Sequence, residues 1–227
     1  MNCAVIMAAG KGKRMHAKIN KQFINLNDKP ILAHTISKFE QNSSIDEIVI
    51  VVSRDEIEKC LNEVVYKYNF KKIRSVVAGG HERQESVLNG LRKLKNVDIV
   101  LIHDGARPFV DDRIIEEGIK YASIYGGSAC GVVPKDTIKL RDENGFSSKT
   151  LDRNSLFCVQ TPQCFKFDEI LDAHLQAEAK GIIATDDTKI FEMAGRKVYL
   201  YDGSYDNMKI TTYDDIYTAE RILNKSV

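Results

Sequence analysis

The chain has 227 residues, 43% of them hydrophobic and 29% charged, a balance that supports a full core without disulfides or a structural metal. Its formal net charge of +1 leaves no global basic excess to neutralise a duplex phosphate backbone, so nucleic acid is excluded as a main partner.

In chain order, Val- and Ile-rich runs at 3–8, 47–52, 73–78, 99–103 and 129–134, each ended by Gly, Ser, Asp or Pro, predict buried strands. Between them the segments 31–40, 55–68, 84–94 and 113–125 carry apolar residues at helical spacing. Strand–helix alternation of this kind predicts right-handed crossovers and an α/β fold: a Rossmann-like, mostly parallel sheet with helices on both faces. In such sheets ligands bind beyond the carboxyl ends of the strands. The chain reads as one domain over 1–227, interrupted by a polar segment at 135–152. That segment holds Asn144-Gly145 between two short alternating runs, a two-residue hairpin signal. A polar hairpin with little core to cover predicts a projecting β-arm that packs on a second copy, hence a homodimer. The five cysteines form no C-x-x-C pair and read as reduced buried thiols. No apolar run is long enough for a membrane helix, and the first residues read as a strand rather than a leader. The expectation is a cytoplasmic protein.

Three strand ends carry residues suited to chemistry. After the first strand comes Ala8-Ala9-Gly10-Lys11-Gly12-Lys13-Arg14-Met15, followed by Lys18 and Lys21. Gly10 and Gly12 let backbone amides approach an anion, and the cations suit a triphosphate. Met15 stands where the dinucleotide fingerprint needs its third glycine, and the Ser or Thr of a P-loop is missing. The third strand ends in Gly79-Gly80 with Ser86 near the next helix start, a place where a flat base can lie against backbone. The fourth ends in His103-Asp104-Gly105-Ala106-Arg107-Pro108, with a carboxylate placed for a metal or a hydroxyl. His103 reads as a packed, hydrogen-bonded histidine rather than a base.

Taken together, and in order, these segments resemble the 2-C-methyl-D-erythritol 4-phosphate cytidylyltransferase family. The resemblance also draws on Lys21-Gln22-Phe23, Gly79-Gly80-x-Glu82-Arg83-x-x-Ser86-Val87 and Asp136-Thr137-Ile138-Lys139. Later in the chain it continues through Asp152-Arg153, Gln160-Thr161-Pro162-Gln163, Thr185-Asp186-Asp187 and Asn207-Met208-Lys209-Ile210-Thr211. It implies transfer of CMP from CTP to a polyol phosphate. Arg14 and Lys21 would stabilise the pentacovalent phosphorus, with Lys209 holding phosphate from the opposite side. Lys11, Lys13 and Lys18 are left as solvated. Ala8, Ala9, Gly10, Gly12, Gly79, Gly80, Ser86 and Asp104 would bind the nucleotide. Asp104, Thr161, Thr185 and Lys209 would bind the sugar phosphate, with Arg107, Thr137 and Arg153 reaching in from the neighbouring subunit. Mg²⁺ would be held chiefly by the nucleotide, with Asp104 the one protein carboxylate suggested for it. Two positions depart from the family: Asn20 stands where proline is usual, and His81 where an acidic residue is usual.

Two other readings stay open on sequence grounds. Ribitol-5-phosphate cytidylyltransferases share the glycine loop, but Gly105-Ala106 and Asp187-Thr188 here differ from their usual residues. A non-catalytic CTP-binding module would not need charge on both sides of the α-phosphate, as Arg14, Lys21, Asp104 and Lys209 supply.

Overall fold

The computed structural model describes residues 1–10 and 20–225. Strand β1 (Asn2–Ala8) is followed by a short 3-10 turn, Lys21–Phe23, and the two-residue pair β2 (Asn25–Leu26) and β3 (Lys29–Pro30). Then come α1 (Ile31–Gln41), β4 (Glu47–Val52), α2 (Ile57–Cys60), β5 (Ile73–Ala78), α3 (Arg83–Leu91), β6 (Ile99–Asp104), α4 (Asp112–Tyr125) and β7 (Gly127–Val132). The remainder comprises β8 (Lys139–Arg141), β9 (Ser147–Thr150), β10 (Cys158–Lys166), α5 (Phe167–Ala179), α6 (Asp187–Met193), β11 (Tyr199–Asp202) and α7 (Tyr213–Lys225).

Seven strands form one sheet in the order β11-β7-β10-β6-β1-β4-β5. β1 pairs in parallel with β4 and β6, β4 with β5, and β7 with β11; β10 runs antiparallel to both β6 and β7. The central strands β1, β4 and β6 are buried on both faces, as expected for the parallel part of a covered sheet, while the edge strand β11 is largely exposed. Along β1, Ala4, Ile6 and Ala8 face one apolar layer with Ile36 and Phe39 of α1 and Ile114 of α4. The alternate residues Cys3, Val5 and Met7 face the other, with Leu91 of α3, Ile170 of α5 and Phe191 of α6. Among the described residues no helix is long and apolar enough to cross a membrane.

The helix expected over 55–68 is present as one unbroken helical run from Arg54 to Tyr66, but it changes type along its length. A 3-10 turn at Arg54–Glu56 leads into the single turn of α2, then a wide π-type stretch, Leu61–Tyr66, that buries Val64 and Val65 side by side. The 135–152 hairpin is present as β8 and β9, but its turn is wider than the two residues expected. The Asp142 side chain accepts from the N–H groups of Asn144 and Phe146, and only Gly145 takes a positive φ, of 91°. This is a longer loop closed by a left-handed glycine rather than a tight Asn-Gly turn. Cys3, Cys60, Cys130 and Cys164 are buried free thiols, and burial pushes the first three up to about 12. Cys158 is exposed, because it opens β10 at the sheet's rim, so the buried-thiol expectation does not extend to it.

Candidate active site

Parallel register sets four strand ends side by side: Ala8 pairs with Val52, Val52 with Ala78, and Met7 with Asp104. The chain leaving each end turns over the sheet's edge, and a cleft of about 790 Å³ opens there. Gly10, Lys21, Gly79, Gly80, Asp104 and Lys209 contribute to its walls, so residues from four strand ends and a late loop meet where the α/β rule places a ligand.

One wall is built by glycine. A Cβ on Gly79 would stand 2.6 Å from the Cβ of Ala9 and 2.8 Å from Oγ of Ser86. The Gly79 N–H donates to the Val52 carbonyl at 2.7 Å, extending the ladder one residue past β5. Gly80 donates its N–H to Ser86 Oγ at 3.0 Å, and the Ser86 hydroxyl donates to the Glu82 carbonyl. The His81 N–H donates to Glu85 Oε2 at 2.8 Å. Ser86 therefore spends its proton on shaping the loop; it lines the cleft as a wall residue rather than as a free donor. His81 contributes its backbone N–H to this loop.

The other pole is charged. Asp104 Oδ2 lies 2.9 Å from Lys209 Nζ and 3.6 Å from Arg107 Nε. Burial alone would raise the Asp104 pKa, but Lys209, Arg83 and Arg107 outweigh it and hold the carboxyl well below its usual range. Lys21 is buried, and its Nζ donates to the carbonyl of Ile210, the residue after Lys209, at 2.9 Å. That bond joins the segments carrying these two lysines, and both side chains line the cleft. Asn20, in the place of the usual proline, takes φ −61°, within proline's own range, and its Nδ2 donates to Glu56 Oε2 at 2.9 Å.

The sequence-predicted residues separate into groups. Ala9, Gly10, Lys21, Gly79, Gly80, Ser86, Asp104 and Lys209 share the cleft. Ala8 is buried beneath it as the last residue of β1. Thr161 lies behind Asp104, its Oγ accepting the Asp104 N–H at 3.0 Å. Arg107 Nε lies 3.6 Å from Oδ2 of its own Asp104, and its guanidinium donates to the Asn207 carbonyl at 2.7 Å. Thr137 and Arg153 are exposed and meet at the base of the arm, 3.4 Å apart, away from this cleft. Thr185 is exposed on the loop before α6. Gly12 and Arg14 lie outside the described residues.

Residues without an assigned role also matter. Arg83 lines the cleft, and its Nη2 lies 2.6 Å from Oδ2 of the fully buried Asp187. Gln163 accepts the N–H groups of Asp187 and Thr188, so β10 anchors the start of α6. The signal was the adjacency of Asp186 and Asp187 after Thr185: the first caps α6 by accepting from the Lys189 N–H, which turns the second inward. Among the described residues no group of three or more His, Cys, Asp or Glu side chains gathers to hold a metal. With Asp104 as the one carboxylate of the charged pole, a divalent cation fits only if phosphate oxygens and water complete its shell, as magnesium prefers.

A mostly parallel sheet with glycines, lysines and a buried carboxylate gathered at its strand ends has the fold of an α/β nucleotidyltransferase. The family model described as 2-C-methyl-D-erythritol 4-phosphate cytidylyltransferase (IspD) matches residues 2–225. The chain belongs to that family. It is 65% identical over 226 residues to the protein of that name from Clostridium acetobutylicum, covering 100% of this chain and 99% of the relative. The relative of the same name from Clostridium novyi is 58% identical, covering 98% of this chain and 96% of the relative. Among solved structures, the 4-diphosphocytidyl-2C-methyl-D-erythritol synthase of Anaerococcus prevotii superposes with a TM-score of 0.87 at 31% identity, covering 98% and 96% of the two chains. The Francisella tularensis cytidylyltransferase gives 0.81 at 31% identity, covering 97% and 98%.

Proposed function

We propose that this chain transfers the cytidylyl group of CTP to 2-C-methyl-D-erythritol 4-phosphate. An oxygen of the sugar's phosphate attacks the α-phosphorus, the bond to the bridging oxygen breaks, and pyrophosphate leaves. The observation that carries the reading is the convergence of the glycine wall and the Lys21, Lys209 and Asp104 charges on one cleft in a chain of this family.

The reaction asks the protein for position and charge rather than covalent chemistry. Lys21, anchored on the Ile210 carbonyl, meets charge growing on the α-phosphate together with Arg14. Lys209 holds the sugar's phosphate, and Asp104, kept ionised by its cations, accepts a hydroxyl of the sugar. Gly79, Gly80 and Ala9 enclose the cytosine, and Gly10 and Gly12 offer backbone amides to the phosphates. A bound magnesium ion would neutralise the phosphate oxygens, held chiefly by the nucleotide, with Asp104 the protein carboxylate that would add an oxygen to its shell. Thr137 and Arg153 belong to the sugar-phosphate site of a neighbouring copy, delivered by the arm in a homodimer; Thr185 closes the same site from its exposed loop. Four buried free thiols agree with a reducing cytoplasm.

The test is pyrophosphate release from CTP with each polyol phosphate in turn. Turnover with methylerythritol 4-phosphate is expected; turnover confined to ribitol 5-phosphate, or CTP binding with no turnover, overturns the assignment.

A further inference from the structure

The charged pole rests on a closed ring of buried hydrogen bonds. The Asp104 N–H donates to Thr161 Oγ at 3.0 Å. That hydroxyl lies 3.1 Å from Nδ1 of His103, whose Nε2 lies 3.1 Å from the Arg107 carbonyl. A carbonyl only accepts, so Nε2 carries the ring proton, Nδ1 is the acceptor, and the Thr161 hydroxyl donates to it. The Arg107 guanidinium then donates to the Asn207 carbonyl at 2.7 Å. The ring closes through Asn207 Nδ2, which donates to the Thr161 carbonyl at 2.9 Å and to Gln160 Oε1 at 3.2 Å.

His103 and Asn207 are wholly buried. Burial lowers the His103 pKa to about 4, so the imidazole stays neutral and keeps the one tautomer that the ring needs. Asn207 spends both amide protons, which fixes its orientation, and it stands two residues before Lys209. The groups of the charged pole are thereby tied one to the next: Asp104 by its backbone, Arg107 by its carbonyl and guanidinium, Lys209 by its loop.

We infer that His103 and Asn207 are positioning residues, which with the Thr161 hydroxyl lock Asp104, Arg107 and Lys209 into the one arrangement that receives the sugar phosphate. This rests on the substrate reading above. It recasts Thr161 as well, since its single proton goes to His103 and leaves none for a substrate hydroxyl. Asn207 Oδ1 and Arg107 Nε find no hydrogen-bond partner, yet the bonds that are made run through every member of the buried ring, so loosening one loosens its neighbours.

The test uses the full chain and four variants. His103→Phe keeps the ring's packing against Phe39, whose centroid lies 4.9 Å away, and removes both hydrogen bonds. Thr161→Val keeps shape and removes the hydroxyl, and it stands in should His103→Phe fail to fold. Thr161→Ser restores the hydroxyl, and the fourth variant carries His103→Phe and Thr161→Val together. We expect KM for methylerythritol 4-phosphate to rise about tenfold in His103→Phe and in Thr161→Val, as for loss of one or two buried hydrogen bonds. The CTP dissociation constant should stay within about twofold of the unaltered chain. Thr161→Ser should restore the KM, and the double variant should be no worse than either single one, as for parts of one relay.

A purely structural role predicts otherwise: fewer active molecules with an unchanged KM for the sugar phosphate. That result, or additive losses in the double variant, overturns the inference. Failure of the unaltered chain to use methylerythritol 4-phosphate sinks the substrate reading instead, and the two failures are told apart by that control.

Discussion

The ammonium of Lys209 rests 2.9 Å from Oδ2 of Asp104, joining a loop late in the chain to the carboxyl end of β6. The carboxylate is nearly buried while the lysine is partly open, so the pair presents its positive end to the cleft. Lys209→Ala should remove that end without unfolding the chain, because Arg83 and Arg107 still compensate Asp104. Turnover should fall on the order of 10² to 10³-fold, the usual cost of a lost charge-stabilising donor. Equilibrium CTP binding should change little. Single-turnover rates and CTP titrations separate the two effects, and equal losses in both would refute a role at the sugar's phosphate.

Gly79 and Gly80 are adjacent, yet their substitution by alanine should differ. A Cβ on Gly79 meets the Cβ of Ala9 at 2.6 Å, which moves only with its backbone, and Oγ of Ser86 at 2.8 Å, which can turn only by giving up its bonds with Gly80 and Glu82. A Cβ on Gly80 meets the Glu85 carboxyl end at 2.2 to 2.5 Å, and that long side chain can turn out at the cost of its bond from the His81 N–H. Gly79→Ala should therefore raise KM for CTP about tenfold or more, within the range of overpacking penalties, and Gly80→Ala only about two- to threefold. CTP titration of both variants checks the order; a larger effect at Gly80 would contradict the packing argument.

Much of this wall was legible in the sequence, since paired glycines at a strand end announce close approach of backbone. The five strands and the α1, α3 and α4 helices were legible too, because apolar runs and helical spacing report burial directly. β10 was not. Its residues Gln160, Thr161, Pro162 and Gln163 break both alternation and apolarity, and a proline argues against a central strand. The structure accommodates Pro162 where the register slips between Val159 and Gln163, and spends the polar side chains on Asp104, Asn207 and the start of α6. Polar residues serving buried partners from remote segments leave no local signature. The inward turn of Arg107 was hidden for the same reason, because Asn207 is its partner only through the fold.

Asp187 should make the chain sensitive to acid. Burial would raise its pKa, but Arg83 and His174 bring it down to about 2 from an ordinary value of 3.8. The folded state thus binds this proton more weakly than the unfolded one. The stabilisation is complete above about pH 4 and is lost as pH falls towards 2, and it amounts to about 2 kcal/mol. Asp187→Asn should lower stability at neutral pH by on the order of 1 to 3 kcal/mol, since Arg83 loses its partner. It should also flatten the acid limb, leaving the part due to Asp104. Urea midpoints measured between about pH 2 and 6 compare the two limbs; parallel curves would show that Asp187 does not titrate as argued.

The arm gives the most direct test of assembly. Phe146 at its turn is 72% exposed and Leu140 on β8 is 49% exposed, while Val133 and Val159 at its root are also open. A two-stranded hairpin is at best marginal in water, so these apolar groups need a surface that this copy does not give them. If a second copy supplies it, Phe146→Asp buries a charge there and should shift the chain from dimer to monomer at micromolar concentration. The core is untouched, so the thermal transition of the monomer should remain cooperative. CTP binding should persist, because the glycine wall and Lys21 lie within one copy. The KM for the sugar phosphate should rise, because Thr137 and Arg153 at the arm's base would no longer reach the neighbouring cleft. Sedimentation velocity and sugar-phosphate kinetics on the same sample decide it: an unaltered chain that is already monomeric, or a dimer that survives Phe146→Asp with unchanged KM, would leave the arm without this role.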